Sequence, residues 1–161
     1  MRRLIESGAV PGFRFVQIGL RGYWPPPETV AWMREQRMRS YFMEEIVERG
    51  LATVVDEAVA YAAGPGPDGE PPATGVFLSI DIDVVDPGMA PGTGTPEPGG
   101  LTSRQLLDTV RRLGRELEIV GADLVEVAPH YDQPMDITAA LANRVVLELT
   151  TGMAERRRDA G

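Results

Sequence analysis

The sequence predicts an α/β fold in which a mostly parallel sheet is sandwiched by helices. Strand-like and helix-like segments alternate along the chain, 75–80 is a continuous apolar run of the kind found in central parallel strands, and acids gather just beyond the ends of the strand-like segments. In such folds ligands bind beyond the carboxyl ends of the strands, which is where those acids fall.

The elements follow in order. Phe13 to Leu20 (FRFVQIGL) reads as a buried strand that ends in Gly-Tyr-Trp-Pro-Pro-Pro punctuation. Pro27 suits a first helical turn, and Glu28 to Arg37 continues as a helix with a thin apolar stripe of Val30 and Met33. Tyr41 to Met43 forms a short strand. Glu44 to Ala62 reads as one amphipathic helix, with Val47, Leu51, Val54, Val55, Ala58, Val59 and Ala62 on its buried stripe despite the roughly 1 kcal/mol that Gly50 costs there. The Gly- and Pro-rich stretch 64–74 is too short to separate domains, so 1–161 is expected to be a single domain.

Gly75 to Ile80 (GVFLSI) is the central strand, expected to be covered on both faces. Thr102 and Gln105 have capping-box spacing ahead of a helix that buries Leu106, Val110, Leu113 and Leu117. Glu118 to Val127 is another strand. The last helix, about 136–153, turns Ile137, Leu141, Val145 and Leu149 to the core and leaves Arg156 to Arg158 as a frayed tail.

Composition narrows the function. The 161 residues are 43% apolar and 25% charged, with a net charge of −8 that disfavours phosphate backbones and anionic lipid. No nucleic-acid or membrane partner is expected, and no apolar run reaches the roughly 18 residues of a span. The absence of cysteine removes disulfides, thiolate metal sites and cysteine nucleophiles, and is compatible with the expected cytoplasmic location. His130 is the one histidine.

The chemistry concentrates in Ser79-Ile80-Asp81-Ile82-Asp83-Val84-Val85-Asp86-Pro87. If the strand persists that far, Asp81 and Asp83 project to one face, and two close anions are most easily reconciled by a divalent metal, Mn²⁺ or Mg²⁺ for hard oxygen ligands. A bare D-x-D equally fits a turn cap beside a solvated acid. Asp86 precedes a proline and reads as a turn acceptor rather than a ligand; Asp132 reads similarly, with a possible substrate-tail contact.

The longer string SIDIDVVDPGMAPGTGTPEPGGL, with VQIGLRG upstream and VEVAPHYD downstream, resembles the arginase, agmatinase and guanidino-acid ureohydrolase family from about Arg14 to the last helix. The resemblance implies a three-layer α/β/α arginase-like fold and a hydrolase with two manganese ions per site that cleaves a guanidino compound, agmatine or a guanidino acid, to urea and an amine. It implies that Asp81 bridges both metals, that Asp83 binds the second, that Glu126 anchors the substrate guanidinium and that Thr95 lines the substrate pocket. A strand-end arginine pair for Glu126 and an ordinary turn hydroxyl for Thr95 are the alternatives. His130 falls at a variable position of E-V-x-P-x-Y-D and reads as structural or as part of the pocket rim. The Trp24 to Pro27 loop bears on substrate choice. Complete members imply a trimer or hexamer.

The family's G-G-x-H and D-x-H-x-D segments do not occur in this sequence, so the shuttle histidine is expected upstream and this chain, lacking its amino-terminal part, is expected to be inactive alone. A partial sheet would also expose apolar faces and associate. A non-catalytic interaction module retaining the same fold is the alternative. A phosphotransferase carboxylate pair is disfavoured, because no lysine occurs anywhere in the chain.

Overall fold

The computed structural model describes residues 2–23, 25–132 and 135–161. The chain forms two compact units, Met1–Thr74 and Gly75–Gly161, each with its own parallel two-stranded sheet and helices. The α/β class with parallel strands is therefore what the sequence predicts.

In the first unit, α1 (Arg2–Glu6) leads through a 3-10 turn at Gly12–Arg14 to β1 (Val16–Leu20), α2 (Pro27–Glu35), β2 (Arg39–Phe42), α3 (Met43–Arg49) and α4 (Leu51–Ala63). The strands pair with Val16 opposite Arg39 and Ile18 opposite Tyr41. Tyr41 is fully buried under the Arg39 guanidinium, which lies 3.7 Å from its ring centroid. Trp24, the first residue of the loop expected to bear on substrate choice, lies outside the described residues.

The single helix expected over 44–62 is two helices. Gly50 takes φ 85 and ψ 135 between them, a conformation open to glycine and closed to a helix interior. The break resets the buried stripe: Met43 and Ile46 are buried in α3 and Val54, Val55 and Ala58 in α4, while Val47 is 79% exposed.

The second unit runs β3 (Val76–Asp81), a 3-10 turn at Ile82–Val84, α5 (Ser103–Glu116), β4 (Ile119–Val125), a 3-10 turn at Pro129–Tyr131 and α6 (Ile137–Asp159). The expected capping box is present: Gln105 N–H donates to Thr102 Oγ1 at 3.1 Å, and Thr102 N–H donates to Gln105 Oε1 at 2.8 Å. Leu106, Val110, Leu113 and Leu117 are buried as expected. Helices α5 and α6 cross at glycines. A Cβ on Gly114 would stand 2.7 Å from the Leu149 carbonyl oxygen, and one on Gly152 would strike the Arg111 carbonyl.

Helix α6 departs from expectation at both ends. Ile137 is exposed, because the buried stripe starts with Thr138 and continues through Leu141, Val145 and Leu149. The arginines at 156–158 belong to the helix instead of a frayed tail, and Arg156 reaches Glu118 at 3.2 Å. Strand β3 is covered less than a continuous apolar run predicts: Ile80 is buried, but Phe77 and Ser79 are exposed on the opposite face. Among the described residues no helix is long and apolar enough to cross a membrane.

Candidate functional site

Strands β3 and β4 are parallel with Asp81 opposite Val125, so Asp81 and Glu126 leave the sheet at the same end. Strand β3 stops at Asp81, and Asp83 sits in the following 3-10 turn, so strand alternation does not bring the two acids together as the sequence suggested. A turn does it instead: Asp83 N–H donates to Asp81 Oδ1 at 3.1 Å, which makes Asp81 the cap of that turn. The capping role read from the bare D-x-D thus coexists with the closeness of the two acids.

Burial pushes the Asp81 carboxyl up to about 6, and the neighbouring charges of Asp83 and Glu126 push the same way, against the Asp83 amide bond that favours the carboxylate. Three acids therefore share one field. Thr95 joins them through its Oγ1–H, which donates to Asp83 Oδ2 at 2.9 Å. Glu126 adopts φ 64, a left-handed conformation that costs a non-glycine residue on the order of 1–2 kcal/mol and so requires support from its surroundings.

That support is a pair of loops lying side by side. Ala128 N–H donates to the Gly92 carbonyl at 2.8 Å, and Gly92 N–H donates to Thr138 Oγ1 at 2.8 Å. A Cβ on Gly92 would meet Asp132 Cβ at 2.6 Å, and one on Gly94 would stand 3.9 Å from Glu126 Oε2. The loop carrying Thr95 thus faces the loop carrying Glu126. Its two ends are tied by Asp86, whose Oδ1 accepts from Gly88 N–H at 2.9 Å and whose Oδ2 accepts from Gly99 N–H at 2.8 Å. Asp86 is the turn acceptor that the sequence suggested.

Asp132 is also structural. It is buried, and its two oxygens accept the amides of Thr138 and Ala139 at 2.9 and 2.8 Å, so it caps α6 from outside the helix. A contact with a substrate tail does not fit that commitment. Burial alone would raise its carboxyl; the amides outweigh it and hold the group below the usual carboxylate range. The sequence reading missed Thr138, which is buried and fixes Gly92, because nothing local links it to a loop 46 residues away. His130 is exposed in the Pro129–Tyr131 turn, with its ring 4.1 Å from that of Tyr131.

The donor chemistry of the acid cluster suits a divalent metal. Asp81 and Asp83 are two hard oxygen donors, and the raised Asp81 carboxyl marks an acid cluster that a cation would relieve, so both fit a manganese ligand set. They fit as part of a set: among the described residues no group of three His, Cys, Asp or Glu side chains is placed to hold a metal ion.

Known proteins resemble this chain in sequence and in fold. The sequence pattern of the arginase family matches residues 1–152. The chain is 44% identical over 154 residues to a guanidinopropionase of Pseudomonas aeruginosa, covering 96% of this chain and 45% of that protein. It is 41% identical over 150 residues to the mitochondrial agmatinase of Gallus gallus, covering 92% of this chain and 40% of that protein. The solved proclavaminate amidino hydrolase of Streptomyces clavuligerus superposes with a TM-score of 0.82 at 37% identity, over 96% of this chain and 48% of the other. The chain thus spans about half the length of the relatives it matches. On sequence and fold together, the chain belongs to the arginase family.

Proposed function

We propose that this chain carries the acidic part of a guanidino-compound hydrolase site. The observation that carries the reading is the convergence of Asp81, Asp83 and Glu126 at one sheet end, with the Asp81 carboxyl raised to about 6. Asp81 and Asp83 would hold manganese, as part of a larger ligand set. Manganese, when bound, supplies Lewis acidity and lowers the pKa of water near neutrality.

The chain's own residues do the rest. Glu126 pairs with the planar guanidinium, for which a carboxylate is the matched partner, and its left-handed backbone aims it from the loop instead of the strand. Thr95 keeps Asp83 oriented by hydrogen bonding and lines the substrate cleft beside Gly94. The remaining metal ligands and the proton-shuttling histidine come from the part of the family fold that this chain does not span, so the chain alone releases no urea. Both units are parts of one ureohydrolase domain, a reading supported by a single solved relative that matches 96% of the chain. Complete assemblies form trimers or hexamers.

Titration of the chain with Mn²⁺, followed by the loss of the free-ion electron paramagnetic resonance signal, tests the reading. Saturable uptake that Asp81→Asn and Asp83→Asn abolish is the expected result; uptake indifferent to both replacements sinks it. A second reading, a metal-free subunit that packs on a full-length relative, draws on the exposed Phe77, Val120, Val146 and Leu147. A chain that takes up no Mn²⁺ yet forms a defined complex with such a relative favours it.

A further inference from the structure

Among the described strands β4 is bonded to β3 alone, so its other edge is open. Edge strands are ordinarily blunted by a proline, a lysine or a bulge, because their free N–H and C=O groups recruit another strand. From Gly121 to Val125 this edge has none of these. The register against β3 is regular there, and the one charged residue, Asp123, accepts from Ser79 Oγ–H at 2.6 Å on the face that carries Phe77.

Beside that edge lies an apolar groove of about 400 Å³, walled on one side by β4 and on the other by α6. Helix α6 carries two stripes. Val145 and Leu149 are buried, and Val146, Thr150 and Met153 follow at helical spacing along the groove, with Val146 49% exposed and Val120 of β4 69% exposed. The hydroxyl of Thr150 is bonded back to the Val146 and Leu147 carbonyls at 2.9 and 3.0 Å, so it adds no open donor to the wall. A helix laid in this groove would cover the apolar wall and leave the backbone edge of β4 without partners. An extended strand satisfies both, with ladder bonds to β4 and alternate side chains on α6.

Length identifies the occupant. The guanidinopropionase and the proclavaminate amidino hydrolase each match 96% of this chain, yet the match takes in 45% and 48% of those proteins. The solved one thus holds the fold of this chain and continues for as much again. Both described sheets are parallel, and parallel sheets are finished by further chain on their faces and edges. We propose that the open edge of β4 and the Val146–Met153 stripe dock one apolar strand from that remaining portion of the arginase-family fold, parallel to β4. This chain is then one half of a two-part protein. The proposal stands on family membership and on the groove, and makes no use of the manganese reading.

The experiment is co-expression of the tagged chain, without added manganese, with the portion of the Pseudomonas aeruginosa guanidinopropionase outside the 154 matched residues. Co-purification at one to one is expected, with amide hydrogen exchange along β4 slowed about a hundredfold relative to the chain alone. The double variant Val120→Asp, Val146→Asp is expected to weaken the complex about a hundredfold, since docking would bury two unpaired charges. Both side chains are exposed, and circular dichroism verifies that the variant stays folded. Where the separate portion is insoluble, the same portion joined to this chain by a flexible linker gives the same readout along β4. Fast exchange along β4 in the joined protein overturns the proposal, as does a complex that survives the double variant or leaves β4 unprotected. Slow exchange along β4 in the chain alone that is lost on dilution makes a second copy the occupant and overturns it too. Neither manganese nor turnover is read, so a chain that binds no Mn²⁺ sinks the reading of the acids and leaves this one standing.

Discussion

Asp83 N–H donates to the Asp81 carboxylate at 3.1 Å, so the residue that ends β3 also shapes the turn that places the second acid beside it. One side chain therefore serves two masters, a backbone turn that wants an acceptor and an acid cluster that wants less negative charge.

The conflict predicts a pH signature in the metal-free chain. The folded Asp81 carboxyl sits at about 6, above the ordinary value of 3.8, so between those values the folded state binds more protons than the unfolded one. The stabilising contribution is present below about pH 4 and is lost as pH rises through 6. Asp81→Asn keeps the turn acceptor and removes the charge. It is expected to be more stable than the parent by about 1–3 kcal/mol above pH 6, with the difference vanishing near pH 4. Urea denaturation after dialysis against a chelator measures this, and equal pH profiles for the two chains refute it.

Thr95 is exposed and bonded to Asp83 Oδ2, so its replacement should leave the fold intact and loosen Asp83, which the proposed function makes a manganese ligand. Thr95→Val is expected to weaken Mn²⁺ uptake about tenfold with an unchanged melting temperature. Titration monitored by electron paramagnetic resonance, beside thermal unfolding of the same sample, separates the two effects.

Asp132→Ala removes both acceptors from the amides of Thr138 and Ala139 and opens a gap beside Gly92. The expected loss is about 2–4 kcal/mol. Because the amides hold this carboxyl below its usual range, its contribution is present above the ordinary carboxylate value and disappears as pH falls through the lower folded value. The deficit of the alanine variant should therefore be full at pH 7 and shrink under strong acid; a deficit that is constant with pH contradicts the assignment.

The helix crossing yields a steric prediction. A methyl on Gly114 meets the Leu149 carbonyl oxygen at 2.7 Å, and backbone on both sides cannot yield as a flexible side chain would. Gly114→Ala is expected to destabilise by about 1–3 kcal/mol even though alanine favours helix more than glycine does. A melting temperature at or above that of the parent would show that the helices separate without cost.

Much of this was legible in the chain itself, where local chemistry is decisive. The Thr102–Gln105 box, the α5 stripe and the turn role of Asp86 depend on residues close in sequence, and the structure has them. What local reading blurs is phase and distance. Propensity alone makes Gly50 a small helical penalty, whereas its positive-φ backbone separates two helices and Val47 faces outward. Strand alternation would pair Asp81 with Asp83, but a turn does so instead. Thr138 and Gly92 meet across 46 residues, a relation that no periodicity encodes.

The two ends of the loop between Gly88 and Gly99 are held by one carboxylate at Asp86, one oxygen for each end, like a keyring closed by one clasp. Its interior is anchored separately, Gly92 by Thr138 and Ala128, and Thr95 by Asp83, so undoing the clasp would free the ends while the middle stays fastened.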